Sequence, residues 1–136
     1  METLASANGP YMVLLALSVI LLFLHIGLQG ILATKELGSA WNAGPRDDGK
    51  KPKGALAGRA ERALANYKET YPAFVGLVLG IAILGDASGW GLIGGWIWFA
   101  ARVAYIPLYL LGIPYIRSLV WLISAGGLVI MLLSLI

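Results

Sequence analysis

Cysteine is absent from the 136 residues, and histidine occurs once, at His25. The first absence excludes disulfide frameworks, cysteine nucleophiles and cysteine-type zinc sites, and a single histidine excludes a histidine-rich metal site. Charged residues are also scarce, at 12% of the chain against 59% hydrophobic residues, and the mean hydropathy is +0.80. Soluble domains are typically about 25% charged. The composition therefore excludes a disordered chain and a nucleic-acid-binding tail, and it predicts a protein of the lipid bilayer.

Long uncharged stretches predict the number of membrane crossings. Residues 3–34 and 118–136 are uncharged, residues 87–116 are interrupted only by Arg102, and residues 70–85 form a shorter run. A transmembrane helix needs about 20 apolar residues, so the short run must extend backwards into polar sequence. We therefore predict an all-α integral membrane protein, a bundle of four transmembrane helices. The predicted single domain covers residues 1–136, with helices at about 10–34, 59–84, 90–111 and 115–136.

Positive charge is concentrated in one part of the chain. Eight of the ten Lys and Arg residues lie between Lys35 and Lys68, and five of them fall in the predicted loop over residues 35–58. Short loops rich in Lys and Arg stay in the cytoplasm, so we expect this loop there, in contact with lipid headgroups, and both termini on the other side. The N-terminus lacks the positive charge of a signal peptide, which indicates a retained first helix.

Polar side chains recur at helical spacing in the last three predicted helices. Because residues three or four apart share a helix face, each helix is expected to present one polar face, and the topology places these faces in the cytoplasmic half. An unpaired arginine in the bilayer centre costs at least about 2.5–3.5 kcal/mol. We therefore expect Arg102 to form an ion pair with Glu69. The polar residues are Arg59, Arg62, Asn66 and Glu69, then Arg102, Tyr105 and Tyr109, then Arg117 and Ser118.

Arginines outnumber carboxylates on these faces. Four arginines have only Glu61 and Glu69 as candidate partners. Guanidinium groups bind planar carboxylates through two parallel hydrogen bonds. The surplus of positive charge therefore predicts an anionic ligand, although interhelical hydrogen bonding alone would explain an Arg102–Glu69 pair.

The order of these motifs resembles the MAPEG family, the membrane-associated proteins in eicosanoid and glutathione metabolism. The resemblance rests on RAERALANYKETYP at residues 59–72, Arg102-Val-Ala-Tyr105 with Tyr109, and Pro114-Tyr-Ile-Arg117-Ser118. The chain looks most similar to bacterial members related to microsomal glutathione transferases. The resemblance implies a homotrimer of four-helix subunits in the bacterial inner membrane. It also implies that glutathione, as co-substrate, binds between subunits near the cytoplasmic face.

The resemblance also implies roles for individual residues. Arg117 and Ser118 match the positions that activate the glutathione thiol. The thiolate would then attack a lipophilic electrophile, or reduce a lipid peroxide. The residues expected to bind glutathione are Arg62, Asn66, Glu69, Tyr105, Tyr109 and Arg102.

Two other functions are candidates for a chain of this composition. A non-catalytic MAPEG-type protein that binds lipids or organises partners remains an alternative, because Ala65 and Trp121 stand where other branches have contributing side chains. A small drug/proton exporter needs a carboxylate in its first helix, and residues 3–34 contain none. Gly76-x-x-x-Gly80 and Gly91-x-x-x-Gly95 predict close helix approach without any chemistry of their own.

Overall fold

The chain folds into four long helices and one short helix. The computed structural model describes the backbone of residues 2–136 and the side chains of residues 8–136; Met1, part of the predicted domain, lies outside the described residues. Residues 8–37 of the first helix, and the other three long helices, are long and apolar enough to cross a membrane, so the predicted all-helical class is confirmed. The helices are α1 (Glu2–Leu37), α2 (Ser39–Ala43), α3 (Ala55–Leu84), α4 (Trp90–Leu110) and α5 (Ile116–Leu135).

Two long helices begin earlier than the sequence pattern predicts. α1 begins at Glu2 rather than near residue 10, because Pro10 removes only one backbone N–H and residues before it can remain helical. α3 begins at Ala55 rather than near residue 59, directly after Gly54. The Glu36 carboxylate accepts the Gly54 N–H at 2.9 Å and so ties the end of α1 to the start of α3. The loop between α1 and α3 is therefore shorter than predicted, and it contains α2.

The helix connections define two ends of the bundle. Residues 38–54 and the turn 111–115 lie at one end, which we call the basic end, and the turn 85–89 lies at the other. α4 and α5 form the most extensive helix pair, and α1 packs mainly on α3. Pro72 lies inside α3 without ending it, and the apolar residues that follow Pro72 predict this continuation. The first turns of α3, the last turns of α4 and the first turns of α5 consequently lie together at the basic end.

Aromatic side chains fill the centre of the bundle. Phe74 of α3 stacks on Trp98 of α4 with ring centroids 3.9 Å apart. The Tyr67 hydroxyl donates a hydrogen bond to the Ser18 carbonyl at 2.6 Å, and His25 packs against the Tyr67 ring at 4.8 Å. These contacts join α1, α3 and α4. The lone histidine is therefore a buried helix-contact residue.

Glycines bring α4 and α5 into backbone contact. A Cβ atom added to Gly94 would lie 2.6 Å from the Gly127 carbonyl oxygen, and one added to Gly127 would lie 2.8 Å from the Trp98 nitrogen. Real side chains do not tolerate such distances, so only glycine permits this helix spacing. The extensive α4–α5 contact depends on these two positions.

A carboxylate joins three helices at the end opposite the basic end. Asp86, in the turn 85–89, accepts hydrogen bonds from the Tyr11 hydroxyl, from Ser134 Oγ at 2.8 Å and from the Leu92 N–H at 3.1 Å. Partial burial alone would raise the pKa of Asp86, but these hydrogen bonds outweigh it and hold the pKa below its usual value. The charged form is thus the one that links α1, α4 and α5.

Candidate functional site

A polar cavity of about 440 Å³ opens among α3, α4 and α5 in the half of the bundle nearest the basic end. Its volume falls within the range of roughly 300–1,000 Å³ that small-molecule sites occupy. Most of its lining consists of polar residues that helical spacing singled out in the sequence. The lining residues are Arg62, Asn66, Tyr105, Tyr109, Arg117, Ser118, Trp121 and Leu122.

Helical geometry explains why these side chains meet. Arg62 and Asn66 are four residues apart on α3, and Tyr105 and Tyr109 are four apart on α4. Such pairs lie one above the other on a helix face. The turn 111–115 then reverses the chain, so α5 begins beside the end of α4 and presents its first turn to the same space.

The polar cavity has a positive lining. It contains the guanidinium groups of Arg62 and Arg117, and none of its lining residues is a carboxylate. The Arg117 guanidinium carbon lies 4.7 Å from the centre of the Tyr109 ring, which in turn lies 5.5 Å from the Tyr105 ring. An aromatic face attracts a cation at this distance without neutralising it. The cavity therefore suits an anionic ligand.

Arg102 lies behind the wall of the polar cavity instead of lining it. The side chain is fully buried, and its Nη1 donates a hydrogen bond to Asn66 Oδ1 at 2.8 Å. Its guanidinium carbon lies 4.5 Å from the Tyr105 ring centre and 5.5 Å from that of Tyr67. Among the described residues, its Nε and Nη2 have no hydrogen-bond partner. Arg102 thus orients Asn66 and Tyr105, whereas the sequence suggested direct ligand contact.

The predicted ion pair between Arg102 and Glu69 is wrong for the single chain. Over the part of the chain that the structure describes, the one ion pair within 4.0 Å joins Lys50 and Asp48. Glu69 is exposed and does not line the polar cavity. Glu69 lies three residues after Asn66, so its side chain is rotated by about 60° around the axis of α3 relative to that of Asn66. That rotation moves its carboxylate to the outer surface and leaves the Asn66 amide as the partner of Arg102.

Two lining residues were not among the predicted site residues. Trp121 and Leu122 follow Ser118 by three and four residues on α5, so the same helical period that connects the other positions could have identified them. Their side chains add an apolar wall beside the Arg117 guanidinium. The polar cavity therefore combines a charged side with a lipid-compatible side.

Comparison with known proteins identifies the family of the chain. A search of the curated proteins finds none that matches the sequence. The model of the MAPEG family matches residues 12–136, which include most of α1, the whole of the other three long helices and every residue that lines the polar cavity. Because the match covers nearly the whole chain, this protein belongs to the MAPEG family.

Proposed function

We propose that this protein is a membrane-bound glutathione transferase or peroxidase-like enzyme. It activates the thiol of glutathione in the polar cavity and transfers it to a lipophilic electrophile, or uses it to reduce a lipid peroxide. The observation that supports this best is the meeting of Arg62, Arg117 and Ser118 in one cavity that lacks a carboxylate. The MAPEG family includes glutathione-dependent enzymes, which agrees with the proposal.

The polar cavity fits glutathione in charge and in hydrogen bonding. Glutathione has two carboxylates, and the Arg62 guanidinium is the proposed partner of one of them, which leaves Arg117 for the thiol. Arginine–carboxylate pairs are frequently bidentate, so such a contact fixes orientation as well as adding affinity. The Asn66 oxygen accepts a hydrogen bond from Arg102, which leaves the amide N–H groups of Asn66 to donate to the ligand.

Arg117 and Ser118 are the proposed catalytic residues. A free thiol has a pKa of about 8.5, and a neighbouring cation favours the thiolate, which is the nucleophile. Arg117 provides that cation, and the Ser118 hydroxyl donates a hydrogen bond to sulfur. In conjugation the sulfur forms a bond to the electrophilic carbon as the bond to the leaving group breaks, and the leaving group departs with that electron pair. In peroxide reduction the thiolate attacks one peroxide oxygen and the O–O bond breaks, which releases an alkoxide that takes up a proton and leaves a glutathione sulfenic acid. A second glutathione thiol then attacks the sulfenic sulfur, which forms the disulfide and releases water.

The proposal includes an assembly and an orientation. We infer a homotrimer in the bacterial inner membrane, with glutathione bound between subunits and the basic end in the cytoplasm. Residues 38–54 at that end contain four of the ten Lys and Arg residues, which favours a cytoplasmic position. Glu69 is exposed on the α3 surface and has no ion-pair partner among residues 8–136, and a neighbouring subunit would give its carboxylate one.

An apolar groove supports the alternative function, a non-catalytic lipid-binding or scaffold protein. The groove lies between α3 and α5, has a volume of about 440 Å³ and is lined by apolar residues such as Pro72, Gly76 and Leu132. Space of this kind accepts an aliphatic chain. Lipid binding in the groove without thiolate formation in the polar cavity would favour this alternative.

The test is glutathione binding to the detergent-purified protein, followed by ultraviolet absorbance in the thiolate band. The chain has no cysteine, so any thiolate signal belongs to the ligand. We expect saturable binding, loss of the thiolate signal in Arg117→Ala, and a reduced signal in Ser118→Ala. Arg46→Ala, which removes an exposed arginine outside the polar cavity, is the matched charge control and should behave like the parent protein.

The opposite results are equally informative. Binding with no thiolate signal would leave the ligand assignment intact and remove the catalytic one. Absence of binding at millimolar glutathione would contradict both, and the lipid-binding alternative would then take precedence.

A further inference from the structure

A second cavity, of about 230 Å³, lies beside the polar cavity at the basic end, and we call it the arginine cavity. It shares Arg62, Tyr109 and Arg117 with the polar cavity, and it adds Arg59 from the second turn of α3. The turn 111–115 forms the rest of its wall. Three guanidinium groups therefore face a space about half the volume of the polar cavity.

Arg59 is held in place by the end of α4. Its Nη1 donates a hydrogen bond to the Leu110 carbonyl at 3.2 Å, a carbonyl that the helix itself leaves without a partner. The guanidinium packs against Gly112, where an added Cβ would lie only 2.7 Å away and where φ is +70°. A guanidinium has five N–H groups, and over residues 8–136 the Arg59 side chain makes no other hydrogen bond, so the remaining N–H groups can bind a ligand.

Among the side chains that the structure describes, no carboxylate neutralises the positive charge of the arginine cavity. None of its lining residues is a carboxylate. Across the described side chains, residues 8–136, the one ion pair is Lys50–Asp48 in the exposed loop, which includes no arginine. Three like charges in a small space repel one another, and a bound anion would remove that repulsion. The arginine cavity therefore favours an anion.

We propose that the arginine cavity binds a phosphate group. A phosphate is compact, has up to two negative charges and accepts hydrogen bonds on several oxygens, and arginine forks match that geometry. The phosphate belongs either to the headgroup of an anionic phospholipid or to a free phosphate ion. Both can reach the cavity, because it lies at the end of the bundle that contacts lipid headgroups and water. This site goes beyond the proposed glutathione chemistry and does not depend on it.

The experiment uses Arg59 because this arginine lines the arginine cavity and not the polar cavity. The first arm titrates the detergent-purified protein with inorganic phosphate at constant ionic strength, using calorimetry. In the second arm the protein is placed in phosphatidylcholine nanodiscs that contain phosphatidic acid. Native mass spectrometry then measures how much phosphatidic acid stays bound to the protein. Glutathione affinity is measured in parallel on the same preparations.

We expect Arg59→Gln to weaken binding of the phosphate probe about tenfold, the effect of losing one charge-assisted hydrogen bond. Glutamine can still donate to the Leu110 carbonyl, so the helix contact is kept. Arg59→Lys, which retains the charge, should bind more tightly than Arg59→Gln. Lys51→Gln removes one exposed positive charge from the same end of the bundle and should bind phosphate like the parent protein.

Each outcome has a definite meaning. Binding in the first arm alone assigns a free phosphate, and binding in the second assigns a phospholipid headgroup; both support the site. Absence of binding in both arms overturns it. An Arg59→Gln variant that loses as much glutathione affinity as phosphate affinity also overturns it, because the arginine cavity would then belong to the glutathione site. Failure of the thiolate test alone leaves the phosphate site untouched.

Discussion

Arg102 is a fully buried cation whose hydrogen-bond partner is a neutral amide. A charge at this depth needs compensation, and here the Asn66 oxygen and two aromatic rings provide it. Polar side chains of transmembrane helices commonly form such interhelical hydrogen bonds. The pair therefore links α3 to α4 and at the same time fixes the amide of Asn66 in the wall of the polar cavity.

We predict that Asn66→Ala lowers the free energy of unfolding by about 1.5–3 kcal/mol, because it leaves the buried guanidinium without its hydrogen-bond acceptor. The thermal unfolding midpoint in detergent measures the effect. Lys68→Ala, an exposed change on the same helix, is the control and should have little effect. In a double-mutant cycle with Arg102→Leu the two losses should be less than additive. Additive losses would show that the hydrogen bond contributes nothing.

Most of the individual residues that line the polar cavity could be predicted from the sequence. Six of its eight lining residues were named from helical spacing and family resemblance, since periodicity determines which side chains share a face. The partner of Arg102 could not be predicted in this way. Asn66 and Glu69 lie on nearly the same face of α3, and choosing between them requires the rotation of α3 against α4, which depends on packing along the whole helix pair.

At the scale of elements, the distance between neighbouring helices decides which side chains meet. α4 and α5 approach so closely that the Gly94 and Gly127 backbones touch, and this approach brings the first turn of α5 to the last turns of α4. The positions of Arg117 and Ser118 therefore depend on glycines far along the same helices. A change of helix spacing at Gly127 would alter the polar cavity as well as stability.

We predict that Gly127→Ala destabilises the protein by about 1–3 kcal/mol, because the new methyl group overlaps backbone atoms that have no room to move. The neighbouring Gly126 is the matched control, because it is exposed and no described atom lies within 4 Å of a Cβ atom added to it. Gly126→Ala should instead stabilise α5 by about 0.5–1 kcal/mol. Unfolding midpoints measured side by side test both signs. Equal effects of the two variants would contradict the glycine contact.

The sequence predicted the elements better than their packing. The uncharged stretches located the four long helices, but the two pairs of glycines spaced four residues apart differ in what they contact. Gly91 and Gly95 do allow close approach, because added Cβ atoms would overlap Tyr11 and Leu14 of α1. Gly76 instead faces open space in the single chain. A glycine spacing indicates that close approach is possible, and only the neighbouring helices decide whether it occurs.

The whole molecule exposes large apolar side chains along its long helices. Phe23, Ile83 and Leu122 are each at least 60% exposed. Soluble monomers rarely expose contiguous apolar surface on this scale, so these side chains are expected to contact lipid or another subunit. The charged residues are concentrated at the basic end, which gives the molecule a strongly asymmetric charge distribution along the membrane normal.

We predict that the basic end faces the cytoplasm, and the lack of cysteine makes the test direct. A membrane-impermeant maleimide added to intact cells should label Ser88→Cys, in the turn 85–89, and should label Lys51→Cys only after the cells are broken. The parent chain has no thiol and provides the blank. The reverse labelling pattern would show that the orientation inferred from positive charge is wrong.

The length of α3 has a consequence for how reaction rates would depend on concentration. Its 30 residues extend about 45 Å, roughly 15 Å more than the hydrocarbon core of a bilayer. The early turns with Arg59 and Arg62 therefore reach the boundary between lipid and water, where a membrane-dissolved and a water-dissolved reactant can meet. The bilayer then acts as a second solvent. For the proposed enzyme, adding inert lipid would dilute the lipophilic reactant within the membrane and slow the reaction, while the volume concentration of both reactants stayed the same.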